Sequence, residues 1–79
     1  MITILLHILN EDPILAEIES LPKSDTLNLI VQNPRLRDGK SLPYLDRDVN
    51  MVIWPMSRVN FIEVYPGEDE EEIISHVRE

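Results

Sequence analysis

The stretch from Val52 to Val64, Val-Ile-Trp-Pro-Met-Ser-Arg-Val-Asn-Phe-Ile-Glu-Val, admits few conformations. Val, Ile, Trp and Phe pack well on a pleated surface. Pro55 has no N–H to give a central ladder, so the first half of the stretch must be an edge strand or end there. Two strands joined by a very short corner are expected, and with the only Trp and the only Phe the stretch is expected to supply much of the core.

Upstream, the pattern is also one of alternation. Met1 to Leu9 reads as a strand with Ile2, Ile4, Leu6 and Ile8 on one face and Thr3, Leu5, His7 and Leu9 on the other. Asn10-Glu11-Asp12-Pro13 is turn chemistry. Ile14 to Leu21 follows as a second strand, Ile14, Ala16 and Ile18 facing in and Glu17 and Glu19 out, which completes a hairpin. After the corner Pro22-Lys23-Ser24-Asp25, a third strand runs from Thr26 to Gln32, with Leu27, Leu29 and Val31 on one side and Asn33-Pro34 closing it. Residues 34–48 are irregular. Asp38-Gly39 signals a tight turn, and Leu42, Tyr44 and Leu45 are positioned to pack back on the sheet. Val49 to Trp54 is the fourth expected strand and Arg58 to Tyr65 the fifth, with Val59 and Phe61 on one face and Ile62 and Val64 on the other.

The expected fold is therefore mainly β, a small five-stranded strongly bent sheet or open barrel over residues 1–66. Residues 67–79 are expected to form a short acidic C-terminal helix or frayed tail after the break at Pro66-Gly67. Glu68 to Glu72 sit where a helix dipole favours negative charge, and Ile73, Ile74 and Val77 make a narrow apolar stripe.

At 79 residues the chain is one domain. A domain of this size buries only about 60% of the surface its unfolded chain exposes. Such domains commonly lean on disulfides, a metal or oligomerisation. Cysteine is absent, which excludes disulfides, thiolate metal sites and cysteine nucleophiles. His7 and His76 are far apart and make a poor metal set. Oligomerisation remains, and the apolar residues on both faces of the first and fifth strands argue for it. A surface strand ordinarily alternates apolar-in and polar-out, so a two-sided one calls for a cover. A second subunit pairing edge to edge, or the C-terminal segment, are the candidates.

Net charge is −8. Residues 1–66 hold nine acids and six bases, residues 67–79 six acids and one base. Such a balance repels phosphate backbones and disfavours broad nucleic-acid binding. The N-terminus has no basic leader and no run reaches the ~20 apolar residues of a membrane span, so a cytoplasmic protein is expected.

Three of the seven bases, Arg35, Arg37 and Lys40, cluster around Gly39. They suit a clamp for phosphate or carboxylate. The competing and preferred reading is a solvated loop with one internal Arg–Asp pair, worth little. Asp25, Asn28, Arg58 and Asn60 lie at or just inside strand ends, where a rigid sheet can converge polar side chains on a ligand. The simpler reading is that Asp25 makes a local turn bond and Asn28 faces solvent. The carboxylates show no acid–base pattern, Glu68 to Glu72 lack the spacing of a calcium loop, and there is no glycine-rich phosphate loop, nucleophile elbow or zinc pair. An enzyme is not expected, nor a cofactor, and His7 reads as a residue at the edge of the core.

Ile8 to Ile18, a polar turn between apolar strands, resembles the first hairpin of Sm-like proteins. Asp25-Thr26-Leu27-Asn28 is similar to the end of their first motif, and Arg58-Val59-Asn60-Phe61-Ile62 to their fifth-strand motif. The similarity spans residues 2–65. Ala16 and Val59 stand where that family has Gly, the Asp-to-Asn spacing is one residue short, and a strand stands where the family has an N-terminal helix. The resemblance implies a small barrel of the Sm/SH3 type that joins its neighbours through the fourth and fifth strands into a ring. It also implies Asp25, Asn28, Arg58 and Asn60 as residues near a central RNA site. Three functions are consistent with these features, taken in order. The first is a self-associating module that offers an oligomeric scaffold to a protein partner. The second is an Sm-like RNA-binding ring, and the third a barrel sensing an anion at the basic loop.

Overall fold

In a computed structural model, which describes residues 1–67, the alternating segments become five antiparallel strands. They are β1 (Ile2–Ile8), β2 (Ile14–Ile18), β3 (Asn28–Leu36), β4 (Met51–Pro55) and β5 (Val59–Val64), with a single 3-10 turn, Met56–Arg58, between the last two. They form one strongly curled half-barrel sheet in the order β4-β3-β2-β1-β5. The mainly β architecture expected from the alternation is what the chain adopts. The expected acidic C-terminal helix or tail lies outside the described residues, save for its first residue, Gly67.

The concave face is filled with aliphatic side chains. Ile4, Leu6 and Ile8 of β1, Ile14, Ala16 and Ile18 of β2, and Leu29 and Val31 of β3 are all buried. Each set comes from alternate positions of one strand, as a pleated ribbon requires. The open mouth is plugged from the β3–β4 connection: Leu42 is only 3% exposed, and Leu45 packs against the same cluster. Tyr44 instead stands at the rim, half exposed.

Two bulges change the faces read from simple alternation. In β5, His7 pairs with Phe61 while Ile8 pairs with Val59, so Asn60 is an extra residue in the ladder. The extra step turns both Val59 and Ile62 toward the core and sends Phe61 outward, 54% exposed. The expected grouping of Val59 with Phe61 is therefore corrected. The expected aromatic core is corrected too: Trp54 only packs against an aliphatic core at partial exposure, and Phe61 lies outside it.

In β3, Leu15 pairs with Arg35 but Glu17 with Gln32, which leaves one extra residue around Asn33-Pro34. Asn33 takes a positive φ of 56°, a conformation Asn tolerates better than most residues. Its N–H donates to the Asn50 carbonyl at 2.7 Å, and Pro34 has no N–H to lose. Asn33-Pro34 thus bends the third strand rather than ending it, and β3 runs on to Leu36. At the other end it begins at Asn28, two residues after the expected Thr26, and Leu27 is left 80% exposed.

Among the described residues, β4 and β5 are the two edges of the sheet and do not pair with each other. Pro55 sits on one of them, where its missing N–H is tolerated. On the convex side, Ile30, Met51 and Ile53 are exposed next to the β4 edge. Leu5 also faces that side, between Leu15 and Glu63, yet it is buried.

Candidate functional site

The seven polar residues singled out from the sequence fall at three separate places. Arg35, on β3, is held by structure. Its Nη1 and Nη2 donate to Oε1 and Oε2 of Glu17, each at 2.9 Å, and Nη1 also donates to the Asn33 carbonyl at 2.8 Å. Arg37 and Lys40 are exposed at the tip that follows β3. That tip is a tight turn: Gly39 N–H donates to Leu36 O at 2.9 Å and Leu36 N–H to Lys40 O at 2.8 Å, with Gly39 at φ 92°. The Asp38 carboxylate accepts from the Lys40 amide rather than from an arginine. The basic loop therefore closes on its own backbone, and Arg35 points its guanidinium at β2.

Asp25 and Asn28 lie at the opposite end of β3, about 20 Å from Arg35 at the rise of an extended strand. Asp25 is exposed in a turn that Thr26 closes, its hydroxyl accepting from the Lys23 amide at 2.8 Å and its N–H donating to Lys23 O at 3.1 Å. Asn28, opposite Pro55, lines a groove of about 380 Å³ with Leu21, Ile30 and Met51.

Arg58 and Asn60 form the third place, beside the β1–β2 turn. Asn10 adopts a positive φ of 63°, and Glu11 N–H donates to Ile8 O at 3.2 Å, which folds the turn back over the end of β1. The 3-10 turn is pinned at both ends: Met56 N–H donates to Leu27 O at 2.9 Å, and Leu9 N–H donates to Arg58 O at 3.1 Å. This places Arg58 in a cleft of about 290 Å³ with Ile8, Glu11, Tyr44, Trp54 and Pro55. A neighbouring cleft shares Ile8 and Glu11 and adds Asn60, His7 and Phe61. Arg58 and Asn60 are thus near each other and near Glu11, whereas Asn28 and Arg35 are not with them.

Burial and, next, the negative fields of Glu11 and Asp12 raise the Tyr44 hydroxyl above its usual value of 10.0. The direction follows because both effects disfavour the phenolate. On the outer face, the His7 ring stacks on Phe61 at 4.0 Å between centroids and 18° between planes, and its Nε2 lies 2.7 Å from Glu63 Oε1. Sequence reading placed His7 at the edge of the core; the structure shows it bridging β1 and β5 on the convex side.

Alternation alone did not single out Tyr44, Trp54 and Glu11 as members of one cleft, because they come from the β3–β4 connection, β4 and the β1–β2 turn, which meet only in the folded sheet. Among the described residues there is no group of three or more His, Asp or Glu placed to hold a metal ion, and no helix long and apolar enough to cross a membrane. No protein-family model, curated protein or solved structure matches the chain.

Proposed function

We propose that the chain is a non-enzymatic self-associating small-barrel module whose copies pair through their edge strands to build a protein-interaction scaffold. The observation that carries this reading is the pair of sheet edges left open among the described residues. Among the described residues, β4 and β5 end the sheet on either side without pairing to each other, so each presents an outer strand edge. Charge is one common guard of such an edge, and β4, Met-Val-Ile-Trp-Pro, has none and only Pro55 to blunt its end. Its outward side chains Met51 and Ile53 are exposed and apolar, and β5 presents Phe61 and Val64. A second copy laid along these edges would complete the ladders and cover that surface. The absence of cysteine and the small size support the same reading, since few other sources of added stability are open to the chain.

RNA binding in an Sm-like ring is the second reading, and no specific observation favours it. Arg58 and Asn60 share their clefts with Glu11 and, for Asn60, Asp12, while Asn28 and Arg35 stand apart. Light scattering across a micromolar concentration range tests the proposal. A mass that is a multiple of 9.2 kDa is expected, and a constant 9.2 kDa would refute it.

A further inference from the structure

We infer that the cleft between the β1–β2 turn and the 3-10 turn is a docking site for a cationic side chain, arginine or lysine, presented by a partner peptide. The cleft holds about 290 Å³, near the small end for ligand sites and suited to one side chain rather than a whole cofactor. Two aromatic rings line it. Trp54 comes from the inner face of β4 and Tyr44 from the rim of the β3–β4 connection, set in place by the buried Leu42 two residues before it. Aromatic faces attract cations through their quadrupole, most strongly where water is partly excluded.

Counting Glu11 and Arg58 in the lining and Asp12 next to it, the charges at this cleft sum to −1, which favours the same guest. The Glu11 carboxylate lines the cleft, and the Glu11 and Asp12 side chains make no hydrogen bond or ion pair within the described residues. Glu11 and Asp12 both lie close enough to Tyr44 to disfavour its phenolate, so their negative charge sits beside the aromatic wall. Arg58 lines the cleft as well and opposes a second cation there, but among the described residues it forms no ion pair with Glu11, which leaves that carboxylate without a contacting counter-charge. The neighbouring cleft, with His7, Asn60 and Phe61, shares Glu11 and continues the path along which the flanking residues of a peptide would lie. The groove beside Leu21 and Met51 has a mixed lining, with Glu19, Lys23 and Asn28 among its apolar residues, and nothing in it identifies an occupant.

Trp54 is the only tryptophan, so its fluorescence reports directly on the cleft. The full chain is titrated with an end-blocked arginine-containing peptide and with the same peptide carrying norleucine in place of arginine. A saturable Trp54 change is expected with the first and not with the second, weakening as salt rises. Glu11→Gln, an exposed turn position, should weaken binding by about fivefold or more, and Tyr44→Leu by a similar factor. Glu19→Gln, which removes a carboxylate outside the cleft, should leave it unchanged. Equal binding of the norleucine peptide, equal weakening by Glu19→Gln, no Trp54 response at millimolar peptide, or tighter binding of a single-stranded oligonucleotide in the same cleft would each overturn the assignment.

Discussion

The Arg35 guanidinium meets the Glu17 carboxylate through two parallel N–H donors, each 2.9 Å long, across the bulge that joins β2 to β3. Both side chains are about a quarter exposed or less, so the pair is screened less than a surface contact. Its geometry is the bidentate form that suits arginine and not lysine. Arg35→Lys should therefore destabilise the fold by roughly 1 kcal/mol in urea unfolding, with Glu17→Gln costing about the same. Their double mutant should cost less than the sum of the two. Additive losses would show that the two residues act independently.

Asn33 holds the other half of that bulge. Its positive φ is costly for a residue with an ordinary side chain. Asn33→Ala should destabilise by about 1 kcal/mol, while Asn33→Gly should be close to neutral because glycine accepts the conformation freely. Urea midpoints of the two variants decide this, and an alanine variant as stable as the glycine one would remove the strain argument.

Leu42 reaches the core from a connection with no regular structure of its own. Leu42→Ala should cost about 2–5 kcal/mol, the range for a buried leucine that leaves a cavity. For a domain of this length that is a large part of the total stability. Thermal unfolding followed by circular dichroism should show a much lower midpoint, and an unchanged midpoint would mean the mouth of the half-barrel does not need its plug.

Tyr44 gives a pH signature. Its folded hydroxyl is raised above the unfolded value, so the folded state holds the proton more tightly. The resulting stability is fully present below the unfolded value near 10.0 and is lost as pH rises through the raised folded value. Tyr44→Phe should flatten that alkaline loss. Glu11→Gln should bring the titration of Tyr44 down only part of the way, because burial is the larger cause. Absorbance of the tyrosinate band against pH measures both, and a Glu11→Gln variant with no shift would show that the carboxylate does not reach the ring.

The five strands were legible because Ile14, Ala16 and Ile18, and again Leu29 and Val31, repeat at the period of a pleated sheet. What escaped was the single-residue insertion. Asn60 looks like any polar position in a strand, yet as an extra residue it moves Ile62 to the side of Val59 and puts Phe61 outside. Asn33-Pro34 reads as a stop because both residues favour turns, and only the partner strand shows that the ladder resumes. The same limit applied to the candidate residues. Arg35 looked free because its partner, Glu17, is 18 residues away. Tyr44, Trp54 and Glu11 carried no motif, since the cleft they line is made by curvature rather than by spacing.

The β4 edge is where the proposed assembly is most exposed to test. Ile53 projects from the convex side of that uncharged strand, 64% exposed and away from the core, so Ile53→Lys adds an edge charge without opening a cavity. Sedimentation of the wild type and of Ile53→Lys at matched micromolar concentrations reads the claim directly. The wild type should sediment as a multiple of 9.2 kDa and the variant as a folded species of 9.2 kDa, whereas a wild type that already sediments at 9.2 kDa, or a variant that assembles just as well, would contradict it.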